Sequence, residues 1–426
     1  MGHNSSKKHD RELFTEYEYT RLSQTFHINR SDLSSVNGDT FRERWSDYMV
    51  VPLMETWIQY FIRNEFHYQL KPTFDLERFA HLYKDQISPF IDVKSRGIIK
   101  IILGTDFSDR ILGVNHARVV EYFRNVIISY MRCVEHENFY QFVKWKELGC
   151  SQFDHHQKQL VYHFVKDLSS TQGKVSELDL ENWLREHTFV DKVLACLLDV
   201  CFSFQEYDQN FHPLMPSPLS SAKTILDLSH ILFLTAYLTL EHKKFWTLIF
   251  STRYHGFNFT KFSMAVKDVG PTLFIVKEKK GHLFGWFASE SWIASPQFYG
   301  DNRCFIFKLS PNMQVYEASG YNSNYMYHNY NQQTIPNGFG MGGQIGFWGV
   351  WLDVNFGKGR CETFCSTFKN YHCPSKFSDF TFEILEAWAV DEVAVSKIES
   401  VGVGTGTILE KDPAAKALLE MTKMKN

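Results

Sequence analysis

Two hydrophobic periodicities divide this chain. Up to about residue 220 the apolar positions recur at three- and four-residue spacing, most clearly through Ile111 to Trp145 (ILGVNHARVVEYFRNVIISYMRCVEHENFYQFVKW), which predicts packed helices. From Gly270 onward the pattern shortens to β-branched and aromatic runs bounded by turn residues. Thr272 to Lys277 and His282 to Ser289 flank Glu278-Lys279-Lys280-Gly281, so they predict a hairpin whose glycine takes the positive-φ position. Cys304 to Leu309, Val315 to Ser319, Ile345 to Asn355 and Phe380 to Val390 continue as strands with Pro, Asn and Gly between them. Short strands at this spacing imply two packed sheets. The expected fold class is therefore α+β, with helices first and a two-sheet sandwich after them.

The end of the chain carries a third pattern. Val401 to Thr407 (VGVGTGT) predicts a flexible linker, Asp412 an N-cap, Pro413 the first helical position, and Ala414 to Lys425 a short helix with Leu418, Leu419 and Met421 on its apolar side. A helix of about 13 residues is marginal alone in water, so it is expected to dock on its own protein or in a partner's groove.

The strand region resembles the TLDc family. The matching elements are Gly270-Pro271-Thr272-Leu273, the hairpin ending Phe284-Gly285-Trp286-Phe287-Ala288-Ser289 with Trp292, and Gly300-Asp301 leading to Arg303 and Phe305-Ile306-Phe307. The glycine-rich run Gly338 to Gly343, Trp351-Leu352-Asp353-Val354, Cys365 with Thr367-Phe368 and Asn370, and Leu385-Glu386 with Trp388 complete the order. The likeness runs from roughly Ser221 to Val390 and includes ILDLSHILFLTAYL and FWTLIFSTRYHGFNFTKF. The segments YNSNYMYHNYNQQTIPNGFGMGGQ and DVNFGKG are similar to one subfamily, the N-myristoylated TLDc proteins associated with TOR signalling at the lysosome. Domain bounds follow: a lipidated segment 1–9, helices 10–220, the TLDc domain 221–390, a linker 391–411 and a terminal helix 412–426.

The resemblance also implies EF-hand-like helix pairs in the N-terminal half, and calcium needs acidic oxygens at fixed loop positions. Placing Gly97 sixth puts Asp92 first but Lys94 and Arg96 third and fifth, where they repel a cation; Gly38 and Gly173 put Leu33 and Leu168 first. Such pairs are expected to be scaffolds without calcium.

Composition narrows the partners. With 44% hydrophobic and 22% charged residues over 426 positions, the chain is long enough for two or three folded domains, and a net charge of -3 offers no clustered basic footprint for nucleic acid. The longest apolar run, Ile231 to Leu240, is half of the roughly 20 residues a spanning helix needs. Membrane attachment is expected instead through Met1-Gly2-His3-Asn4-Ser5-Ser6, which fits myristoylation of Gly2, with Lys7 and Lys8 as a small basic patch; a chance match and a tag-like start are the plain alternatives. One myristoyl chain binds reversibly and each lysine adds roughly 1 kcal/mol near an anionic surface, so a second, protein contact is required.

Candidate chemistry is sparse. The eight cysteines fit reduced thiols better than a disulfide framework, and Cys361, Cys365, His372 and Cys373 match no strong zinc spacing. Asp154, His155, His156 and His163 lack a positioned carboxylate ligand and fit a solvated helix start. The glycine-rich run lacks the Lys-Ser/Thr of a phosphate loop, so its glycines are expected to allow close packing. Asp301, Asp353 and Glu386 are each explained as a turn cap or an edge charge. No nucleophile, base and charge stabiliser stand together, and no metal or cofactor is expected. The polar-aromatic loop Tyr321 to Tyr330 is the candidate recognition surface, through Tyr325, Tyr327 and Tyr330, against the plain reading that it folds over the sandwich.

The expectation is a non-enzymatic, membrane-tethered adaptor. The resemblance implies as partners the peripheral sector of the vacuolar proton ATPase and TOR complex components, reached through the sandwich and through residues 413–426. The alternatives are an oxidative-stress protein with thiol-based activity and a calcium-responsive switch.

Overall fold

The computed structural model describes residues 13–29, 31–63, 73–104, 113–137, 139–150, 156–204 and 214–390. The lipidation candidates Gly2, Lys7 and Lys8, the linker, and Leu418, Leu419 and Met421 lie outside the described residues. The fold is mixed α+β, helical first and strand-rich after. Two compact units divide it: Met1–Phe142 with Phe153–Leu214, and Val143–Gln152 with Met215–Asn426.

In the first unit the helix starts are written in polar residues. Thr15 caps Glu16–Phe26 and Ser176 caps Glu177–Glu186, each in a reciprocal capping box that satisfies otherwise orphaned N–H groups. The long periodic stretch becomes two helices, His116–Glu137 and Tyr140–Glu147. The first unit's core is aromatic, with Trp45, Trp57, Phe41 and Phe79 fully buried. The unit is not purely helical. Ile62–Arg63 (β1) pairs with Thr73–Phe74 (β2), and Val114–Asn115 (β3) with Lys174–Val175 (β4), all antiparallel.

The β3–β4 pair joins two helix–loop–helix units side by side, as paired EF-hand loops are joined. Of the three glycines considered for calcium loops, Gly38 and Gly97 lie in helices, and Gly173 alone sits in a loop, at φ 74°. That loop has Leu168 buried in first place, and the twelfth residue, Asp179, uses its carboxylate on Ser176 N–H and Oγ at 2.9 and 2.7 Å. The glycine takes its positive φ here, while the first and twelfth positions hold a buried leucine and a carboxylate already bonded within the chain.

The second unit is a sandwich built around one long strand. Its strands are β5 (Ser217–Pro218), β6 (Phe245–Ser251), β7 (Thr272–Glu278), β8 (Leu283–Ala288), β9 (Phe305–Ser310), β10 (Gln314–Glu317), β11 (Met326–Asn329), β12 (Gly338–Gln344), β13 (Phe347–Asp353), β14 (Lys358–Arg360) and β15 (Asp379–Ala389). The path β10-β9-β8-β7-β15-β14-β13-β12-β11 is continuous, and β6 pairs with β15 and, in parallel, with β5. The start of β15 pairs with β14 while its later residues pair with β7 and β6, with register shifts at Phe382/Ile384 and Ala387/Trp388. Bulges bend and twist a strand, so β15 turns from one layer into the other.

The layers face each other across Phe274 of β7 and Phe339 of β12, whose rings are 6.0 Å apart. The helix Phe259–Val266 inserts Phe262 between them, 5.0 Å from Phe274 and 4.8 Å from Phe339. The apolar run around Ile231 becomes the helix Leu228–Tyr237, buried from Leu228 to Thr235, as a helix apolar on all sides must be. The predicted hairpin forms as β7 and β8, with Gly281 at φ 91°. The glycine-rich run is itself a strand, β12. A Cβ on Gly340 would lie 2.5 Å from the Trp348 ring, so the missing side chain is what lets the indole lie flat on the sheet.

Candidate interaction surface

The polar-aromatic segment is split by the fold into buried and presented parts. Met326–Asn329 forms β11, and alternation along a strand turns successive side chains to opposite faces. Tyr325 is 5% exposed and Tyr327 0%, so neither is offered to a partner by this surface. The Tyr327 ring packs on Trp348 at 4.9 Å and its hydroxyl donates to the Pro336 carbonyl at 3.0 Å. Tyr330, 40% exposed, is the one of the three that meets solvent.

Other side chains take the role assigned to those tyrosines. Tyr321 is 87% exposed, Phe364 75%, Phe347 61% and Ile345 49%. Tyr321 and Phe364 stand on loops, Ile345 and Phe347 at the turn from β12 into β13, and these segments are bound to one another. Thr367 Oγ1 donates to Asn322 Oδ1 at 2.8 Å and accepts from Gly343 N–H at 2.9 Å. Asn324 Nδ2 donates to the Gly343 carbonyl at 2.8 Å, and Asn322 Nδ2 to Ser366 Oγ at 3.1 Å. A buried Thr367 thus ties the segments around residues 322, 343 and 366 together beneath the exposed rings. Pre-ordered aromatic groups keep the entropic cost of binding low. Between Glu317 and Asp353 the sequence has no Asp, Glu, Lys or Arg. That run is aromatic and amide in character; Phe364 lies outside it, on the loop that also carries Glu362 and Lys369. Which tyrosines face out is not legible in the sequence.

The candidate chemical groups are placed as follows. Asp301 accepts Arg303 N–H at 2.9 Å and Asp353 accepts Asn355 N–H at 2.7 Å, both turn caps as expected. Glu386 is not an edge charge. It is fully buried, and its carboxylate accepts Thr224 Oγ1 at 2.7 Å, Ile225 N–H at 3.0 Å and Trp388 Nε1 at 3.2 Å. Burial pushes it up to about 7 against those three donors. It straps the segment ahead of the Leu228–Tyr237 helix onto β15.

His328 is buried and stacked on Phe339 at 3.9 Å. Its Nδ1 faces the Gly338 carbonyl at 3.2 Å and its Nε2 faces Ser263 Oγ at 2.8 Å, the spacing of a base and a hydroxyl. Burial brings the imidazole down to about 4. A base that weak draws a proton poorly from a hydroxyl, and the pair's mechanical effect is to pin the Phe259–Val266 helix to β11.

Cysteine pairing departs from expectation at one place. Cys361 and Cys373 are joined in a disulfide, because the loop between β14 and β15 brings their Cα atoms to 5.6 Å. The other six, Cys133, Cys150, Cys196, Cys201, Cys304 and Cys365, stand outside any disulfide and are buried, as core thiols. For Cys365, burial raises the thiol above its ordinary value. His163, one of the metal candidates, lies buried near the end of the helix Gln157–Val165.

Comparison with known proteins bears on the second unit most directly. Residues 219–391 match the TLDc domain. The chain is 42% identical over 202 residues to MTOR-associated protein MEAK7 of Homo sapiens, covering 47% of this chain and 43% of that protein. It is 37% identical over 252 residues to MTOR-associated protein MEAK7 of Gallus gallus, covering 57% and 53%. Oxidation resistance protein 1 of Bos taurus is 31% identical over 145 residues, 34% of this chain and 16% of that protein. The chain spans about half the length of the MTOR-associated relatives it matches. It carries a TLDc domain across residues 219–391.

Proposed function

We propose that this chain is a non-enzymatic adaptor in TOR-type nutrient and growth signalling, held at a membrane face and binding a large assembly there. The observation that carries the reading is the exposed set Tyr321, Phe364, Phe347 and Ile345, on segments that Thr367 and Asn322 tie together. Rigid aromatic anchors of this kind suit a protein partner. Likeness to proteins named as MTOR-associated supports TOR signalling as the setting. Among the described residues no helix is long and apolar enough to cross a membrane, so the tether in this proposal is the lipid at Gly2, aided by Lys7 and Lys8. The partner in the proposal is the peripheral sector of the vacuolar proton ATPase, at the lysosomal membrane, with Leu418, Leu419 and Met421 as the apolar side of a second contact.

The test is co-purification of that sector with the full chain and with a chain ending at Lys411. Capture by the full chain, weakened by truncation, supports the adaptor and gives the terminal segment a partner; no capture by either folded chain removes the ATPase. Gly2→Ala is expected to move the protein from the membrane to the soluble fraction, and unchanged fractionation sinks the lipid tether.

Likeness to Oxidation resistance protein 1 favours a second reading, a thiol-based protective activity. Thiolate is the reactive form, and burial raises the thiols of Cys150, Cys201 and Cys365. Those thiols weigh toward the adaptor. Cys365→Ser with the fold intact is expected to leave partner capture unchanged; loss of a peroxide-protective activity in that variant would favour the thiol reading.

A further inference from the structure

The loop between β14 and β15 is closed at its base twice. Cys361 N–H donates to the Ser378 carbonyl at 2.7 Å, and Cys361 is bonded to Cys373. Its later part has anchors of its own: Lys369 N–H on the Glu317 carbonyl at 2.7 Å, and Ser375 Oγ and Lys376 N–H on Glu278, each at 3.1 Å. The early part, which carries Phe364, is held at its two ends: Glu362 N–H on the Trp348 carbonyl at 3.1 Å beside the disulfide, and Ser366 and Thr367 on Asn322, Gly343 and Ser319. Cross-linking residue 361 to 373 therefore adds a covalent tie at the entry of the stretch that presents Phe364, while Thr367 holds its exit.

Among the described residues this is the one disulfide, beside six buried cysteines that form none. A disulfide framework uses several bonds to replace a core, whereas an isolated bond near the surface of a well-cored domain is the kind that exchanges. Cys373 is half-buried while Cys361 is fully buried, so the sulfurs differ in access. Both Sγ atoms lie 3.8 Å from the Phe377 carbonyl oxygen, which gives either reduced thiol an acceptor without rearrangement.

We propose that Cys361–Cys373 is a reversible thiol–disulfide site whose state sets how firmly the loop holds Phe364. In the reducing direction a thiolate of a small dithiol attacks Cys373 Sγ. The S–S bond breaks, and its electron pair leaves on Cys361 Sγ. The reagent's second thiolate then attacks its own sulfur in the mixed disulfide and releases Cys373. The reagent departs as a cyclic disulfide; two electrons and two protons have passed to the cysteines. Oxidised reagent reverses each step.

The folded full-length chain is equilibrated at graded ratios of oxidised to reduced dithiothreitol, quenched with acid, alkylated and mapped by mass. One two-electron transition is expected, confined to Cys361 and Cys373, and Cys365→Ser retains it. On reduction, amide exchange in 361–366 is expected to speed up by about tenfold or more while β7 and β8 stay protected. Alkylation of both cysteines at every ratio, a bond that yields only when the protein unfolds, or equal exchange in the two states overturns the proposal. Cys361→Ser with Cys373→Ser, folded by circular dichroism, is expected to exchange fast in both buffers, and slow exchange there overturns it equally. None of these readouts depends on a binding partner.

Discussion

Glu386 Oε2 accepts the hydroxyl of Thr224 at 2.7 Å across 162 positions of sequence, deep inside the sandwich. The contact joins the segment that enters the domain to the strand that closes it. A carboxylate buried at this depth is costly unless donors reach its lone pairs, and here Ile225 N–H and Trp388 Nε1 supply two more.

Stability is expected to depend on pH through this group. Its folded value, raised to about 7 from an ordinary 4.5, means that the folded state holds the proton more tightly than the unfolded state does. The contribution is fully present below pH 4.5 and is lost as pH rises through about 7. Glu386→Gln should remove that slope and, by turning an amide N–H toward a donor, cost about 1–3 kcal/mol at low pH. Urea unfolding of both proteins between pH 4.5 and 8 checks it; parallel profiles would sink the assignment.

The aromatic surface should affect binding without affecting folding. Tyr321→Ser and Phe364→Ser are exposed changes, expected to shift stability by no more than about 0.5 kcal/mol, while each weakens capture of the partner. Because Glu317 to Asp353 encloses no charge, affinity should change little between low and high salt. A steep salt dependence would place the contact elsewhere.

Gly285→Ala should be severe. An added Cβ would stand 1.8 Å from the Phe274 carbonyl oxygen, backbone against strand. The β7–β8 pair cannot open without breaking its ladder, so a loss of roughly 3 kcal/mol or more is expected by thermal or denaturant melting. A change under 1 kcal/mol on that scale would contradict the packing.

Calcium should produce no saturable heat by titration calorimetry and no shift in melting temperature. Leu168 occupies the first loop position and is buried, and Asp179 is committed to Ser176. A measurable site would revive the calcium-switch alternative.

Local chemistry made much of this legible in the chain. Alternation and a glycine in the turn sufficed for β7 and β8, because strand periodicity and positive φ are properties of neighbours. Asp301 and Asp353 were readable as turn caps for the same reason. Strands β11 and β12 were hidden: tyrosine, asparagine and glycine look like loop when the sheet that pairs them and the Trp348 ring that needs Gly340 are out of view.

Burial decided what remained. Tyr325 and Tyr330 are alike in sequence, yet one faces the core and the other solvent, since strand register is set by distant partners. Glu386 looked like an edge charge because the sequence does not show that Thr224 will arrive beside it. Cys361 and Cys373 looked like two ordinary thiols until the β14–β15 loop closed. Residue order determined the elements and their turns; long-range packing alone determined which side chains are solvent-facing, which are paired, and which titrate, because each depends on contacts that sequence proximity does not encode.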